Sequence, residues 1–373
     1  MKERVLMAMS GGVDSTAAAI LLLQQGYELV GATYRVYDSI SEGCMEKEKG
    51  CCSVNSLFEA REIANKLGFE HHIMDFRNEF KESVVDNFID EYLHGRTPNP
   101  CTRCNKFIKW GKLLEEADRL GCKYIATGHY AKIGNEDGRY FIKMGQDTTK
   151  DQSYFLWMLT QEQLARTLFP LGDLTKPEAR ELAASHGLVR VAEKRESQEI
   201  CFVPDDNYRN FLEQNVPDFN TNYGPGNYID KNGKVLGKHC GFPRYTIGQR
   251  KKLGIALGQP MFVLKIDSER NQVTLGPREE VFNTSFIVDQ LNPVKVDKFY
   301  EGMRVIAKIR YRSKGVNATL YPTANEQQIR VELDSPIDSI TPGQSALFYN
   351  EDGDVLGGGV IYQSIGCLPN ETK

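Results

Sequence analysis

Hydrophobic and polar positions follow two different periods in the first half of the chain. Apolar runs of strand length occupy residues 4–9, 28–35, 71–75 and 123–127, and helical spacing occupies residues 16–25, 56–67, 79–94 and 105–120. Gly26, Gly68 and Gly95 follow three of the helical segments, where glycine commonly ends a helix. This strand–helix order predicts an α/β fold, a mainly parallel sheet with helices on both faces.

The pattern changes further along the chain. Asp137 and Gly138 predict a hairpin turn between residues 132–133 and 139–143, and Thr175 with Glu178 predicts a capping box for a helix ending before Gly187. From about residue 223, alternating stretches predict antiparallel strands at residues 259–267, 272–276, 302–311, 318–321 and 328–333. We therefore expect three domains: residues 1–207 with the parallel sheet, a small central linking domain of residues 208–280, and a C-terminal antiparallel β-barrel of residues 281–373.

The composition is that of a globular protein, with 40% hydrophobic and 26% charged residues. No apolar run reaches the roughly 20 residues that span a bilayer, and residues 5–9 lead into a glycine-rich loop, not a secretory leader. We therefore expect a cytoplasmic protein without membrane contact. The net charge of −4 means that nucleic-acid binding requires local basic patches. Nine irregularly spaced cysteines argue against a secreted disulfide framework and favour metal binding or redox chemistry.

The sequence SGGVDS at residues 10–15 joins the first predicted strand to the first predicted helix. Its glycines let the backbone approach phosphate oxygens, the helix N-terminus supplies positive potential, and Asp14 can help to hold Mg²⁺. The loop contains no lysine and is therefore not a Walker loop. An ordinary strand–helix turn is the alternative, which the run of small and polar residues disfavours. The loop resembles the SGGxDS motif of the ATP-pyrophosphatase family, whose members cleave ATP between the α and β phosphates and leave AMP on the substrate.

Two cysteines are candidates for sulfur chemistry. Cys104 precedes Asn105, which we expect to cap the following helix, and Arg103 and Lys106 are close in sequence. A helix N-terminus and nearby cations both favour the thiolate that a sulfur nucleophile requires. Cys201 follows a polar segment that contains cations, and a small buried core residue is the alternative interpretation of its position.

The chain resembles the bacterial tRNA-specific 2-thiouridylases over nearly its whole length. The matching stretches are SGGVDS at residues 10–15, GRTPNPCTRCNK at 95–106, ATGHY at 126–130, KDQSYFL at 150–156, CF at 201–202, GQR at 248–250 and TPGQ at 341–344. The resemblance implies an adenine nucleotide hydrolase-like PP-loop domain. It also implies ATP-dependent adenylation of the C2 oxygen of wobble uridine 34, followed by its replacement with sulfur to give 2-thiouridine, AMP and pyrophosphate.

The resemblance further implies roles for individual residues. The position matching Cys201 carries a persulfide, and the position matching Cys104 is the nucleophile that releases the sulfur by forming a disulfide bond with its partner. ATP and Mg²⁺ are the implied cofactors, and tRNA and a cysteine desulfurase or sulfur-relay protein are the implied partners. The implied ATP-site residues are Ala8, Met9, Ser10, Gly11, Gly12, Val13, Asp14, Ser15, Tyr34 and Gly128. The implied contacts with tRNA or the target base are Asn99, Pro100, Cys101, Lys150, Asp151, Gln152, Ser153, Tyr311 and Arg312.

Cys101 departs from the family's pattern, because many members carry aspartate three residues before the nucleophile. Cys101, Cys104 and Cys201 together resemble the three ligands of thiolation enzymes that hold a [4Fe–4S] cluster and leave one iron open for sulfide. A zinc site is a further alternative that lacks an evident fourth ligand; Cys51 and Cys52 could supply one, although adjacent residues rarely chelate together. The sequence leaves the persulfide and cluster mechanisms equally open.

Two basic stretches are candidates for RNA binding. The first is Arg244 with residues 250–252, and the second is residues 304–314, which contain no acidic residue. On a strand, the cations at positions 304, 308, 310 and 312 share one face and Val305, Ala307, Ile309 and Tyr311 share the other, which suits a barrel surface that tracks phosphates. A solvated outer strand is the alternative. Two other functional classes stay open, a small-molecule ligase on the same loop and a non-enzymatic tRNA-binding or sulfur-carrier protein.

Overall fold

The computed structural model describes residues 2–37, 54–194, 200–203 and 207–365, so Cys51 and Cys52 lie outside the described residues. The chain divides into two compact units. The first comprises Met1–Val85, Pro100–Asp206 and Gly353–Val355, and the second comprises Asp86–Asn99, Asn207–Asp352 and Leu356–Lys373. Among the described residues, no helix has the length and apolar character needed to cross a membrane. The three domain ranges given above stay a prediction.

The first unit is built on a parallel sheet. Its strands are β1 (Arg4–Ala8), β2 (Glu28–Arg35), β3 (Glu70–Asp75), β4 (Tyr124–Ala126), β5 (Ala131–Glu136), β6 (Arg139–Met144) and β7 (Thr167–Leu168). The sheet has the order β3-β2-β1-β4-β7 with every pair parallel, and β5 and β6 form a separate hairpin. Asp137 and Gly138 have positive φ at the hairpin turn, as the sequence predicts. The predicted parallel sheet is confirmed.

The helices of the first unit follow the strands in the predicted alternation. They are α1 (Val13–Gln24), α2 (Val54–Leu67), α3 (Arg77–Phe80), α5 (Pro100–Cys104), α6 (Leu113–Arg119), α7 (Gln161–Ala165), α8 (Lys176–Ser185) and α9 (Val189–Ala192), with α4 (Asp86–Leu93) in the second unit. π-helical segments cover Lys81–Val85 and Asn105–Lys112, and a 3₁₀ turn covers Ser153–Phe155.

The core of the first unit fixes the position of α1. Val5 and Met7 of β1 are fully buried beneath it, and the three alanines at positions 17–19 are also fully buried. Ala179 and Ala183 of α8 belong to the apolar surface around α1, and the two helices pack against each other. Because alanine side chains are short, the backbones of these helices approach closely, and the start of each helix is held rigidly.

The second unit contains a small mixed sheet. Its strands are β8 (Gly226–Ile229), β9 (Val235–His239), β10 (Phe262–Asp267) and β11 (Gln272–Gly276), in the order β10-β11-β8-β9. The β8–β11 pair is parallel, so the expectation of purely antiparallel strands is wrong at this one pair. Helices α10 (Tyr208–Asn215) and α11 (Phe219–Asn222) precede the sheet, and 3₁₀ turns cover Phe242–Arg244 and Arg278–Val281. Its core is centred on Tyr228, Val263 and Val273.

The predicted antiparallel barrel is present in the second unit. Its strands are β12 (Phe282–Pro293), β13 (Met303–Lys308), β14 (Val316–Pro322), β15 (Ile329–Asp338), β16 (Ser345–Tyr349) and β17 (Val355–Ile365). They close in the order β12-β15-β14-β13-β16-β17. Inward-facing Phe286, Leu320, Val331 and Phe348 are fully buried and fill the interior, as in other small barrels.

Candidate active site

The loop at residues 10–15 is shaped by its own hydroxyl groups. The backbone N–H of Ser10 donates to Ser15 Oγ at 3.2 Å, while Ser15 Oγ and Thr16 Oγ1 donate to the Gly12 carbonyl oxygen at 3.1 and 2.9 Å. Gly12 is the N-cap of α1 and makes no side-chain capping hydrogen bond. Glycine has no side chain that could cap the helix, so the first N–H groups of α1 and its dipole favour a bound anion.

Two glycines bring other backbone segments close to this loop. Gly11 has φ +68°, and a Cβ there would lie 2.8 Å from the Ser56 carbonyl oxygen. A Cβ on Gly128 would lie 2.7 Å from the Asp14 carbonyl carbon and 2.8 Å from the Ser15 nitrogen. The loop is thus confined on two sides by contacts that only glycine permits.

The remaining implied ATP-site residues lie at the end of β1, at the start of α1 and in β2. Ala8, Met9 and Val13 are buried. The Met9 carbonyl accepts from Thr33 Oγ1 at 2.7 Å, and Thr33 Oγ1 lies 2.8 Å from His71 Nε2. Tyr34 stacks on Phe76 with ring centroids 6.2 Å apart. The structure brings β1, the loop and β2 together at the carboxyl edge of the sheet, where open α/β sheets bind ligands.

Asp14 is bound by two residues that are distant in sequence. Lys176 Nζ lies 2.8 Å from each carboxylate oxygen of Asp14, and Tyr130 Oη donates to Asp14 Oδ1 at 2.8 Å. Lys176 is the first residue of α8, whose predicted capping box is confirmed because Glu178 Oε2 accepts from the Thr175 N–H at 2.6 Å. Sequence reasoning found this helix but missed its lysine, since nothing in the local pattern points toward residues 10–15.

The KDQSYFL stretch positions Tyr130. Gln152 Oε1 accepts from the Tyr130 N–H at 3.1 Å, and the Gln152 N–H donates to the Tyr130 carbonyl at 2.8 Å. Asp151 is buried and accepts from Gly145 N–H at 3.1 Å and from Ser153 Oγ at 2.9 Å. These bonds hold the segment that presents Tyr130 to Asp14. Contact of Lys150, Asp151, Gln152 and Ser153 with tRNA stays a prediction.

His129 is a buried neutral ring beside this segment. Its Nδ1 lies 2.6 Å from Thr127 Oγ1 and its Nε2 lies 3.4 Å from Lys109 Nζ. Burial, followed by the charge of Lys109, holds the pKa of His129 well below its usual range. Because the ammonium of Lys109 can only donate, Nε2 is the acceptor and Nδ1 carries the proton that it shares with Thr127.

The structure corrects the expected environment of Cys104. The helical segment starts at Pro100 and not after Asn105, so Cys104 is its fifth residue, with φ −57° and ψ −43°. Asn105 is buried and its Nδ2 donates to the Phe155 carbonyl at 2.9 Å, so it does not cap a helix. Proline is well suited to the first position of a helix, which explains this start. Cys101, within the first turn, is nearer to the helix N-terminus than Cys104, and the dipole falls off beyond that turn.

Cys201 is exposed, so the alternative of a buried core residue is wrong for it. It lies in a turn closed by the Val203 N–H donating to the Ile200 carbonyl at 3.0 Å. Phe202 points inward, is 1% exposed, and packs edge-on against Phe80 with ring centroids 5.6 Å apart. The neighbour of Cys201 is therefore anchored at the end of α3.

The neighbour of Cys104 is anchored on the π-helical segment that follows α3. This neighbour, Arg103, donates from Nε to the Ser83 carbonyl at 2.7 Å and lies 4.9 Å from the Phe107 ring centroid. Ser83 belongs to the π-helical segment directly after Phe80. The segments of Cys201 and Cys104 thus contact Phe80 and Ser83, which are three residues apart on one helical segment. Cys122, in contrast, is buried, and burial raises the pKa of its thiol.

The described cysteines are not arranged as a metal site. Within residues 2–37, 54–194, 200–203 and 207–365, no group of three or more His, Cys, Asp or Glu side chains is arranged to hold a metal ion. Cys101, Cys104 and Cys201 all lie in these ranges, so they are not arranged as the three-cysteine ligand set of a cluster. None of the five described cysteines forms a disulfide bond. Mg²⁺ bound through substrate phosphates requires only one or two protein carboxylates, and a contact of Asp14 with Mg²⁺ stays a prediction.

In the second unit, two of the matching stretches meet. Gln344 Nε2 donates to the carbonyl oxygens of Thr97 and Pro98 at 3.0 and 2.9 Å, and Asn99 Nδ2 lies 3.5 Å from Ser345 Oγ. A Cβ on Gly343, at φ +91°, would lie 2.8 Å from the Thr97 carbonyl oxygen. The TPGQ stretch therefore holds the backbone of residues 97–99 in place.

The predicted basic surfaces are smaller than the sequence indicates. Strand β13 ends at Lys308, and although Val305, Ala307 and Ile309 face the core as expected, Tyr311 and Arg312 lie beyond the strand. Arg304 pairs with Asp334, and Arg310 lies 2.8 Å from Asp338 Oδ1. The acids come from β15, which the local sequence of residues 304–314 does not reveal. Contact of Tyr311 and Arg312 with tRNA stays a prediction.

Arg244 is a structural residue and not part of an RNA-binding patch. It is buried, and its guanidinium bonds Glu213 at 2.8 Å, Asn220 at 2.6 Å and the Cys240 carbonyl at 2.6 Å. The guanidinium also covers the Phe219 ring, with its carbon 4.6 Å from the ring centroid. Residues 250–252, by contrast, are exposed.

Three family models match the chain in succession. A tRNA methyl transferase HUP domain matches residues 3–205, a tRNA methyl transferase PRC-barrel domain matches residues 209–277, and an aminomethyltransferase beta-barrel domain matches residues 283–361. The tRNA-specific 2-thiouridylase MnmA of Amoebophilus asiaticus is 48% identical over 365 residues, covering 97% of this chain and 96% of the relative. That of Natranaerobius thermophilus is 47% identical over 368 residues, covering 98% of each chain. The chain belongs to the tRNA-specific 2-thiouridylase family.

This membership confirms the predicted family. Its members are named for an enzymatic activity, the thiolation of uridine in tRNA. A solved 4-thiouridine synthetase in complex with RNA and ATP overlaps this chain with a TM-score of 0.33 and 21% identity, over 58% of this chain and 51% of that one. A similarity of that size supports no inference about this site.

Proposed function

We propose that the protein converts the wobble uridine of tRNA to 2-thiouridine in an ATP-dependent reaction. In the first step the C2 oxygen of the uridine attacks the α-phosphorus of ATP. A new O–P bond forms, the bond from the α-phosphorus to the bridging oxygen of the β-phosphate breaks, and pyrophosphate leaves with its electron pair. The uridine oxygen is thereby converted into part of an AMP leaving group.

In the second step a persulfide on Cys201 supplies the sulfur. Its terminal sulfur forms a C–S bond at C2, and AMP leaves with the former C2 oxygen. The thiolate of Cys104 then attacks Cys201 Sγ, the persulfide S–S bond breaks, and 2-thiouridine is released. The two cysteines are oxidised to a disulfide as the transferred sulfur is reduced, and a thiol reductant restores both thiols. A cysteine desulfurase or sulfur-relay protein reloads Cys201.

The observation that carries this proposal is the attachment of both cysteine segments to one helical segment of the first unit. Phe202 packs on Phe80, and Arg103 binds the Ser83 carbonyl. The neighbours of two cysteines that are 97 positions apart in sequence therefore contact the same helical segment. A persulfide relay needs two thiols in a fixed local arrangement. A cluster needs three cysteine ligands around one centre, which Cys101, Cys104 and Cys201 do not provide in the described structure. The persulfide mechanism is therefore the one we propose.

Oxygen-18 at C2 of uridine 34 tests the adenylation step. We expect the label in the AMP that is released during single-turnover thiolation of such a tRNA, measured by mass spectrometry. Unlabelled AMP would refute adenylation at this oxygen. AMP release that does not depend on tRNA would favour a small-molecule ligase, and incorporation of a methyl group instead of sulfur would favour the methyl transfer named in the family-model descriptions.

Cysteine variants test the sulfur step. We expect Cys201→Ser to retain tRNA-dependent pyrophosphate release and to lose thiolation, and Cys104→Ser to retain the tRNA covalently through a disulfide to Cys201. Cys240→Ser is the matched control, because Cys240 is also exposed and lies in the second unit. Turnover that is unaffected by Cys104→Ser would contradict the relay. Anaerobic purification with iron and sulfide analysis completes the test. Thiolation that requires a reconstituted cluster would also contradict the persulfide relay.

A further inference from the structure

The two partners of the ion pair between Lys176 and Asp14 differ in their burial. The Lys176 side chain is 8% exposed, whereas the Asp14 side chain is 37% exposed. Asp14 lies in the first turn of α1, where the helix dipole already stabilises a carboxylate, and it also accepts from Tyr130 Oη. Asp14 therefore does not require a buried lysine for its own stability, and removing an ammonium group from water carries a large desolvation cost.

The position of Lys176 relative to the loop is fixed by several independent contacts. Its backbone N–H donates to Asp147 Oδ2 at 3.0 Å, and its Nζ lies 5.8 Å from the centroid of the Tyr130 ring. The capping box of Thr175 and Glu178 orients the first turn of α8, and α8 packs against α1 through alanines. The ammonium group is thus held in one place beside the first turn of α1.

We propose that Lys176 binds the β- and γ-phosphates of ATP and so supplies, from α8, the cation that the loop at residues 10–15 lacks. Asp14 and Tyr130 orient the ammonium group before the nucleotide arrives, and Lys176 adds a point charge to the N–H groups of α1. In P-loop enzymes a lysine within the loop has this role. Here the same charge reaches the phosphates from a residue 162 positions further along the chain. This inference rests on the proposed use of ATP.

Nucleotide binding without tRNA tests the assignment. Dissociation constants of ATP, inorganic pyrophosphate and AMP are measured by titration calorimetry for the wild type and Lys176→Met. We expect about 10- to 100-fold weaker binding of ATP and pyrophosphate, because one charge-assisted contact is lost, and a change in AMP affinity of less than about threefold. Lys66→Met is the matched control, since Lys66 Nζ donates to the Gly187 carbonyl at 2.7 Å beyond the opposite end of α8.

Two further variants separate phosphate binding from neutralisation of Asp14. In Asp14→Asn/Lys176→Met no carboxylate is left unpaired, and we expect pyrophosphate binding to stay weak. We expect Lys176→Arg, which keeps the charge, to recover part of the pyrophosphate affinity. Wild-type affinity for pyrophosphate in the double variant would overturn the assignment, as would an equal loss of AMP and pyrophosphate binding in Lys176→Met. Wild-type protein that binds ATP but does not thiolate tRNA would refute the proposed function. The affinities of the Lys176 variants for ATP and pyrophosphate would still test the phosphate-binding role of Lys176.

Discussion

The contact of Gly128 with the start of α1 gives a sharp prediction for Gly128→Ala. The new Cβ would lie 2.7 Å from the Asp14 carbonyl carbon and 2.8 Å from the Ser15 nitrogen. Ordinary van der Waals contact begins at 3.4 Å, so the loop backbone or residue 128 must move by roughly 0.7 Å. The obstruction is backbone, which cannot rotate away as a flexible side chain would.

The size of the effect follows from the cost of overpacking. Forcing one methyl group into a packed site costs about 1–3 kcal/mol, which is expected to lower the melting temperature of the first unit by several degrees. Because the displaced atoms belong to the loop that we propose binds ATP, we expect ATP affinity to fall by about tenfold or more. Thermal unfolding followed by circular dichroism and titration calorimetry with ATP measure the two quantities.

Gly111→Ala provides the control for this prediction. A Cβ on Gly111 would lie 3.4 Å from the Lys106 carbonyl oxygen, which is an ordinary contact, and the residue is helical. We expect this variant to keep wild-type ATP affinity and to unfold at the same or a slightly higher temperature. Gly128→Ala with wild-type ATP affinity and melting temperature would refute the claim that Gly128 confines the loop.

Two further predictions concern stability. Burial, followed by the charges of Arg61 and His72, lowers the pKa of His71 from 6.5 to about 4. The stability from its neutral ring is therefore present above about pH 6.5 and is lost as the pH falls toward 4. The lowered pKa corresponds to about 3 kcal/mol, and solvent screening of this half-buried ring reduces it to about 2 kcal/mol. His71→Gln should remove this loss in denaturant unfolding, and an unchanged pH dependence would contradict the assignment. Arg244→Met leaves Glu213 without its partner and should cost about 3 kcal/mol, whereas the exposed Arg250→Met should cost little; equal melting temperatures would show that Arg244 is not structural.

The sequence predicts the parts of the fold that have a clear period. Strand β11 at Gln272–Gly276 has the predicted bounds because alternation and flanking turn residues define it. Strands β16 and β17 were not predicted, since Ser345–Tyr349 is buried throughout and Val355–Ile365 contains three consecutive glycines. Neither segment alternates, so its strand character comes from pairing within the closed barrel. The start of α5 at Pro100 was missed because asparagine at position 105 has the same local signal as a true N-cap.

The candidate site likewise contains residues that the sequence predicts and residues that only tertiary packing brings together. Residues 10–15 form a local motif, and their position between β1 and α1 follows from sequence. Lys176 and Tyr130 reach Asp14 through the packing of α8 and the hydrogen bonds of Gln152, which no local pattern contains. The cations of residues 304–314 show the same limit, because the acids that neutralise Arg304 and Arg310 lie on a partner strand. Tertiary pairing, and not residue type, decides which charges are available.

The distance in sequence between Asp14 and Lys176 also determines when this ion pair can form during translation. Lys176 is synthesised 162 residues after Asp14, its ion-pair partner in the loop at residues 10–15. At about 5–20 residues per second, this interval lasts roughly 10–30 s. During that time α1 has neither the lysine nor the alanines of α8 to pack against. The surroundings of the loop at residues 10–15 are therefore completed well after the loop itself has been translated.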